Sequence, residues 1–265
     1  MTRRSSTASV QTPRAAPVVM AARDVTLRYG THPVLDNVSL EVREGELFGL
    51  IGLNGVGKTS FLKIMLDLRM ADSGTITING VPSTNRIARR DVAYLPERFD
   101  PPLFMTGNDF IRFVAQMQGR DVNRTQAEDY AERLQLRPDA LRARANTYSK
   151  GMRQKLGLIA TILSGAPFLV LDEPMSGLDP LARVLVKDML AGCHRDGRTV
   201  FLSSHILADL DELCDRVAVL HDRQFQYIGT PAALRSQEQE KHLERAFLSL
   251  IQNTTTMDNT EGPTP

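Results

Sequence analysis

The strongest constraint on this chain is a glycine-rich octet between an apolar stretch and a helical pattern. The octet is Gly52-Leu53-Asn54-Gly55-Val56-Gly57-Lys58-Thr59, with apolar Leu47–Ile51 before it and helical spacing over Phe61–Met65 after it. Glycines allow a tight turn that aims backbone N–H groups into one concavity, and the positive start of the helix favours phosphate. The octet therefore predicts a nucleoside triphosphate site, in which Lys58 reaches the β- and γ-phosphates and Thr59 binds Mg²⁺.

The composition excludes several classes of protein. The 265 residues are 42% hydrophobic and 24% charged, as in ordinary globular chains of one large or two small domains. A net charge of +1 disfavours a strongly basic nucleic-acid binder. Two cysteines, Cys193 and Cys214, cannot build a disulfide scaffold and suit a buried, unreactive role in a reducing compartment. No apolar run approaches the roughly 18–20 residues that cross a bilayer, so we expect any membrane role to come through a partner.

Both ends of the chain have the composition of tails. Residues 1–17 hold Arg3, Arg4 and Arg14, several Ser and Thr, and no acid. An organellar targeting peptide shares this composition, but a disordered extension is the simpler interpretation. Residues 253–265 are polar and are also expected to be disordered.

The body alternates strand and helix patterns, which predicts an α/β fold with a mostly parallel core sheet. Helical patterns cover residues 104–165 and Leu181–His194, and an inserted helical segment is expected at about 98–160. Asn79-Gly80 predicts a hairpin turn. The strand patterns are Val25–Tyr29, Val38–Val42, Leu47–Ile51, Thr75–Ile78, Asp91–Pro96, Phe168–Leu171 and Thr199–Leu202.

A second strand ends in acidic residues. Apolar Phe168–Leu171 is followed by Asp172-Glu173-Pro174. An aspartate at the carboxyl end of a strand beside a phosphate loop is the expected Mg²⁺ ligand. In an extended strand, the side chain of Glu173 would point to the opposite side of the chain from that of Asp172, where it could polarise a water. The alternative, weaker beside the octet, is that the same residues form only an acidic turn at the end of the strand.

Several further motifs, in order, resemble those of the nucleotide-binding subunit of ATP-binding cassette (ABC) transporters over about residues 20–235. Tyr148–Gln154 is similar to the family's signature, and Ser176–Pro180 to the loop after the acidic strand. Ser203-Ser204-His205 matches the switch histidine, and Tyr29-Gly30 the adenine-stacking aromatic. The resemblance implies a P-loop NTPase fold: an ABC domain over 18–236, with N-terminal antiparallel strands and a helical subdomain.

The resemblance also implies the site residues and the ligands ATP and Mg²⁺. Glu173 would be the general base and His205 would position the γ-phosphate. Thr59, Asp172 and Glu97 would hold Mg²⁺. Ser149 and Gly151 would close on the ATP of a second ATPase subunit, although Ser149 is also a good helix N-cap. The expected nucleotide-binding residues are Tyr29, Gly52, Leu53, Asn54, Gly55, Val56, Gly57, Lys58, Thr59, Ser60, Ser149 and Gly151.

Departures from the family pattern resemble bacterial exporters whose ATPase and membrane subunits are separate chains. Glu97 replaces a Gln, Lys150 a Gly and Met152 a Gln. Lys150 would either add charge near the opposing phosphate or simply be solvated. A final helix is expected at 237–252, with the charged run Glu238–Lys241 on its solvated face.

The resemblance implies an ATPase that powers export through a separate polytopic permease, as a dimer on the cytoplasmic face of the inner (plasma) membrane. Apolar residues at about 98–120 either face that permease or form the subdomain's own core. No nucleic acid partner is expected. The alternatives are a soluble ABC ATPase acting on ribosomes or DNA, and a binding module that has lost hydrolysis. The cargo has no signal in this sequence.

Overall fold

The computed structural model describes residues 16–258. Residues 1–15 and 259–265, which hold most of both predicted tails, lie outside the described residues. The strands are β1 (Val18–Tyr29), β2 (His32–Arg43), β3 (Leu47–Ile51), β4 (Ser73–Ile78), β5 (Val81–Pro82), β6 (Val92–Leu95), β7 (Phe168–Asp172), β8 (Thr199–Ser204), β9 (Arg216–His221) and β10 (Gln224–Gly229). The helices are α1 (Lys58–Met65), α2 (Gly107–Met117), α3 (Arg124–Arg133), α4 (Lys150–Leu163), α5 (Pro180–Arg195), α6 (Leu207–Leu213), α7 (Pro231–Gln237) and α8 (Leu243–Asp258).

The larger sheet has six strands in the order β10-β9-β3-β8-β7-β6. Neighbouring strands are parallel except at the edge pair of β9 and β10. β3, β7 and β8 are buried along their whole length, as expected for strands covered on both faces. The predicted parallel core is confirmed, and the carboxyl ends of these three adjacent strands meet at one edge.

The smaller sheet is antiparallel, in the order β2-β1-β4-β5, which confirms the expected N-terminal strands. β1 and β2 have 12 residues each and begin before the predicted Val25–Tyr29 and Val38–Val42. Bulges explain the difference, because Asp24 and Asn37 have positive φ and interrupt the alternation that marks a strand. The predicted hairpin joins β4 to β5, with both turn residues, Asn79 and Gly80, at positive φ.

Helices α2, α3 and α4 form the predicted helical segment between β6 and β7. α4 runs to Leu163, slightly past the expected end. Ile111 of α2 and Ile159 of α4 belong to the same apolar cluster as Leu171 of β7. Gly157 allows this close packing, because a Cβ there would lie 2.6 Å from Leu95. The helical segment therefore shares its core with the parallel sheet.

The C-terminal helix prediction was wrong in its boundaries. Instead of one helix over 237–252, α7 ends at Gln237 and α8 begins at Leu243 and continues to Asp258. The charged run 238–241 lies between them, where Gln239 has a positive φ of 56°. Four residues of α8 at helical spacing, Leu243, Ala246, Phe247 and Leu250, are buried in the main cluster. Within residues 16–258, no helix combines the length and apolar content that crossing a bilayer requires.

Candidate nucleotide-binding site

The phosphate loop joins the end of β3 to the start of α1. Gly55 and Gly57 have φ angles of 81° and 118°, which favour glycine. A Cβ at Gly57 would lie 3.0 Å from Val34, so the loop also has no room for a larger residue there. Gly57 caps α1 without a side-chain hydrogen bond. The first N–H groups of α1 are therefore available to an anion.

Lys58 is a buried cation in the centre of this loop. It is 5% exposed, and its Nζ donates to the carbonyl oxygens of Gly52 at 2.7 Å and Leu53 at 3.3 Å. The same Nζ lies 3.4 Å from Glu173 Oε1. Burial of an ammonium group is costly unless it is paired, and the loop carbonyls and this carboxylate supply the pairing.

Two hydroxyl groups hold the carboxylate of Asp172, which is fully buried at the end of β7. Thr59 Oγ1 donates to Asp172 Oδ2 at 2.8 Å, and Ser203 Oγ donates to Oδ1 at 2.6 Å. A hydroxyl next to a carboxylate is the oxygen donor set that Mg²⁺ prefers. Ser203 was not predicted as a site residue; its position beside the switch histidine at the end of β8 is the signal that could have found it.

Glu173 does not continue the strand, which corrects the expectation of an extended conformation. β7 ends at Asp172, and Glu173 has a left-handed φ of 48°. Its N–H donates to Ser203 Oγ at 3.0 Å. The turn still separates the two acidic side chains, because Asp172 bonds to hydroxyls whereas Glu173 lies between Lys58 and His205.

His205 follows β8 and pairs with Glu173. Its Nδ1 lies 2.8 Å from Glu173 Oε2, and its backbone N–H also donates to that oxygen at 3.4 Å. An ionised carboxylate only accepts hydrogen bonds, so Nδ1 carries a proton in this pair. The ring remains 43% exposed, which leaves Nε2 free to face a ligand.

A cavity of about 580 Å³ contains most of the predicted site. It extends from Tyr29 through the phosphate loop to Glu173 and His205. Val34 and Ser176 also line it and were not predicted as site residues. An isolated Val carries no chemical pattern, whereas Ser176 begins the motif that follows the acidic strand. The full lining is Tyr29, Val34, Asn54, Gly55, Gly57, Lys58, Thr59, Ser60, Glu97, Glu173, Ser176 and His205.

Glu97 lines this cavity, and its charge acts on the same phenol as that of Asp172. Burial raises the pKa of Tyr94, and the negative charges of Asp172 and Glu97 raise it further. Both carboxylates are thus close to one phenol, which stays neutral. Glu97 itself is exposed and lines the cavity, so its position is compatible with a Mg²⁺ ligand shared with Asp172.

The signature residues lie outside this cavity. Ser149 caps α4 and accepts the Met152 N–H at 3.3 Å. Gln154 Nε2 donates to the Pro174 carbonyl at 3.0 Å, which docks the start of α4 on the loop after Glu173. Lys150 is exposed and its methylenes pack near Gly177. Neither Ser149 nor Gly151 lines the cavity of its own chain.

The loop after Glu173 leads into α5 through Asp179. Asp179 accepts the Ala182 N–H at 2.8 Å as the N-cap of α5, and this hydrogen bond lowers its pKa. Asp179 therefore has a capping role within its own chain.

Comparison with known families matches residues 35–176 to the family described as ABC transporter. The chain belongs to the ABC transporter family. An uncharacterized ABC transporter ATP-binding protein of Synechocystis sp. is 36% identical over 189 residues, which cover 70% of this chain and 53% of that protein. The Nod factor export ATP-binding protein I of Burkholderia orbicola is 34% identical over 82% of this chain and 72% of that protein. A solved ATP-binding subunit of an ABC transporter superposes with a TM-score of 0.79 at 29% identity, over 88% of this chain and 99% of that one.

As an ABC cassette, the chain has the fold that its motifs predicted, and its membership of an ATPase family is confirmed. ATP is the ligand of that family. The individual roles of the site residues, the Mg²⁺ ligands and the partners stay predictions. The chain spans about half the length of the Synechocystis relative.

Proposed function

We propose that this ABC cassette hydrolyses ATP to power export through a separate membrane-spanning chain. The observation that carries the proposal is the convergence of Lys58, Glu173 and His205 on one cavity at the carboxyl edge of the parallel sheet. The buried Asp172 does not line this cavity, but it accepts a hydrogen bond from Thr59, which does. Ligands bind at this edge in open α/β sheets. Cargo export is supported by the name of the Burkholderia relative.

ATP binding rests on the loop and on α1. The N–H groups of the loop and of the first turn of α1 bind the phosphates, with Lys58 at the β- and γ-phosphates. Thr59, Asp172 and Glu97 hold Mg²⁺, which neutralises phosphate charge when bound. Tyr29 offers its ring to the adenine at the other end of the cavity.

Hydrolysis rests on Glu173. Its carboxylate takes a proton from the attacking water while the water oxygen bonds to the γ-phosphorus and the bond to the β–γ bridging oxygen breaks. His205 holds Oε2 through Nδ1 and turns Nε2 toward the γ-phosphate.

Ser149 and Gly151 act on the ATP of a second copy or a second ATPase chain. Their exclusion from the cavity of their own chain supports this arrangement. The start of α4 offers Ser149 and backbone N–H groups to an anion, so two subunits facing each other complete two sites.

An apolar surface beside the Glu97 loop is the proposed contact with the permease. Phe104 and Met117 are each 73% exposed and Phe113 is 47% exposed, whereas Phe110 and Ile111 are buried. The segment thus contributes both to its own core and to an uncovered apolar surface. Arg153 of α4 pairs with Asp100 at 2.8 Å, which connects the signature helix to the Glu97 loop. We place the protein, when partnered, at the cytoplasmic face of the membrane.

Co-purification tests the proposal. A C-terminally tagged protein, extracted from native membranes in mild detergent, should bring down a stoichiometric polytopic membrane protein. Phe104→Ser combined with Phe113→Ser should abolish that recovery and leave ATP binding unchanged. Leu248→Ser, at a 49% exposed apolar residue of α8, is the matched control. Recovery of ribosomal or DNA-bound proteins, with no membrane protein, would contradict export and favour the soluble ABC ATPase.

A further inference from the structure

Arg69 covers one face of the Tyr29 ring. The guanidinium carbon of Arg69 lies 3.8 Å from the ring centroid. Tyr29 lines the nucleotide cavity, but Arg69 does not; it lines a neighbouring cavity together with Asp67 and Met70. The guanidinium therefore occupies one face of the ring, which leaves the other face for a ligand in the nucleotide cavity.

The ring is the main partner of this guanidinium. Arg69 Nε is buried and has no hydrogen-bond partner among residues 16–258. The nearest acid along the chain, Asp67, pairs instead with Arg89 at 3.0 Å. A planar guanidinium stacks well on an aromatic face and is attracted by the ring's quadrupole. Packing against Tyr29 is thus the interaction that accounts for the placement of Arg69.

Other contacts fix the ring and the end of β1. The Tyr29 hydroxyl lies 3.1 Å from Ser60 Oγ, on the helix that follows the phosphate loop. Asp72, three residues after Arg69, accepts the Arg28 N–H at 2.5 Å, and its own N–H donates to the Thr26 carbonyl at 2.9 Å. The segment after α1 therefore holds the backbone just before Tyr29 and, through Arg69, the Tyr29 ring itself.

We propose that Arg69 is a positioning residue for recognition of the nucleotide base. This inference rests on the proposed function, since it assigns the base to the open face of Tyr29. A ring already held by Arg69 and Ser60 loses little conformational freedom when a base stacks on it, and such preorganisation increases affinity. This gain in affinity is confined to ligands that carry an aromatic base. The triphosphate portion is bound by the loop and does not depend on Arg69.

Binding of ATP and of inorganic tripolyphosphate, which lacks a base, separates a role in base recognition from general damage to the phosphate loop. Arg69→Met keeps the length and the apolar stem but removes the charged plane. We expect ATP to bind about three- to tenfold more weakly, with inorganic tripolyphosphate affinity and kcat unchanged and KM for ATP raised. Arg28→Met, the same change at an adjacent exposed arginine, should alter neither ligand's affinity. Equal loss of ATP and tripolyphosphate binding, or unchanged ATP affinity, would overturn the inference.

A fluorescence measurement checks the stacking directly. The chain has no tryptophan, so Tyr29→Trp creates the only one and its emission reports on the base. ATP should quench the tryptophan emission. Arg69→Met in this background should move the quenching midpoint to a higher ATP concentration but leave the quenching itself in place. An unchanged midpoint would contradict the role of Arg69.

Tyr29→Ala and Lys58→Ala distinguish a failure of this inference from a failure of the proposed function. If Tyr29→Ala weakens ATP binding and Arg69→Met does not, only this inference fails. If Tyr29→Ala leaves ATP affinity unchanged while Lys58→Ala abolishes binding, the base does not lie on Tyr29, and that part of the proposed function fails as well.

Discussion

Glu173 Oε2 and His205 Nδ1 lie 2.8 Å apart, although the two residues follow different strands. Each leaves its strand at the same sheet edge, and the left-handed turn at Glu173 directs its carboxylate to the histidine. The other oxygen of Glu173 is buried without a hydrogen bond among the described residues and lies 3.4 Å from Lys58 Nζ. The pair therefore holds the Glu173 carboxylate beside the ammonium group of Lys58.

Glu173→Gln should separate binding from hydrolysis. The amide keeps the shape of the side chain but cannot take a proton from water, and a positioned base contributes about 10²–10⁴-fold. We expect ATPase activity to fall at least about 100-fold, with ATP affinity retained and an ATP-stabilised dimer seen by gel filtration. Glu132→Gln, at an exposed residue of α3, is the control. Normal turnover in Glu173→Gln would show that another group is the base.

Ser149 should act in trans. Ser149→Asp keeps a good N-cap for α4 but sets a negative charge against the γ-phosphate, so hydrolysis should be lost while ATP still binds. Ser149→Asn keeps the cap without the charge and should retain more activity.

Lys58→Ala should lose ATP binding, whereas Lys63→Ala, at an exposed lysine of the same helix, should not.

Mixing the two inactive variants tests the arrangement itself. In a dimer of Lys58→Ala with Ser149→Asp, one composite site carries both defects and the other carries none. ATPase activity should therefore return on mixing, to about a quarter of the unmodified level if half of the dimers are mixed and each intact site works alone. Activity no greater than that of the two separate variants would contradict composite sites that work independently.

The phosphate loop and the acidic end of β7 could be predicted because local pattern and chemistry coincide there. The buried strand, the glycines and the lysine that together form a phosphate site lie within a few residues of one another, so one short pattern identifies them. Arg69 could not be assigned, since its role depends on the Tyr29 ring, far away in sequence. Ser203 could be placed near the site by its position beside His205, but its hydrogen bond to Asp172, 31 residues earlier, could not be predicted. The turn at Glu173 was missed because an extended strand is the default continuation of an apolar run.

The two thiols should be unreactive in the folded protein. Burial raises the pKa of Cys214 well above its ordinary value, and it raises that of Cys193 more than the Arg198 guanidinium lowers it. A raised pKa leaves less thiolate at a given pH, and the thiolate is the reactive form. We therefore expect no reaction with a disulfide reagent between pH 7 and 9.

The same disulfide reagent, added to the protein unfolded in urea, should react with both cysteines. Ser236→Cys, at an exposed position, is the positive control and should react in the native state, faster as the pH rises. A native thiol that reacts as fast as this control would contradict the burial of Cys193 or Cys214.

Asp209 should hold α5 to α6 through two cations. Its side chain is 5% exposed, with Oδ2 2.6 Å from Arg183 Nη2 and Oδ1 3.8 Å from Lys187 Nζ. Removing one partner of a fully buried pair costs about 3–5 kcal/mol. Because Arg183 and Lys187 remain 27% and 13% exposed, we expect Asp209→Asn to lower the free energy of unfolding by about 2 kcal/mol.

Urea unfolding measures this loss, and Asp188→Asn, at an exposed residue of α5, should change stability by less than about 0.5 kcal/mol. The combination of Arg183→Met with Asp209→Asn should cost less than the sum of the single variants, because Arg183→Met removes a cation that Asp209→Asn leaves uncompensated. Strict additivity would mean that the two side chains do not stabilise each other. The pair would then not be what joins the helix after Asp179 to the helix after His205.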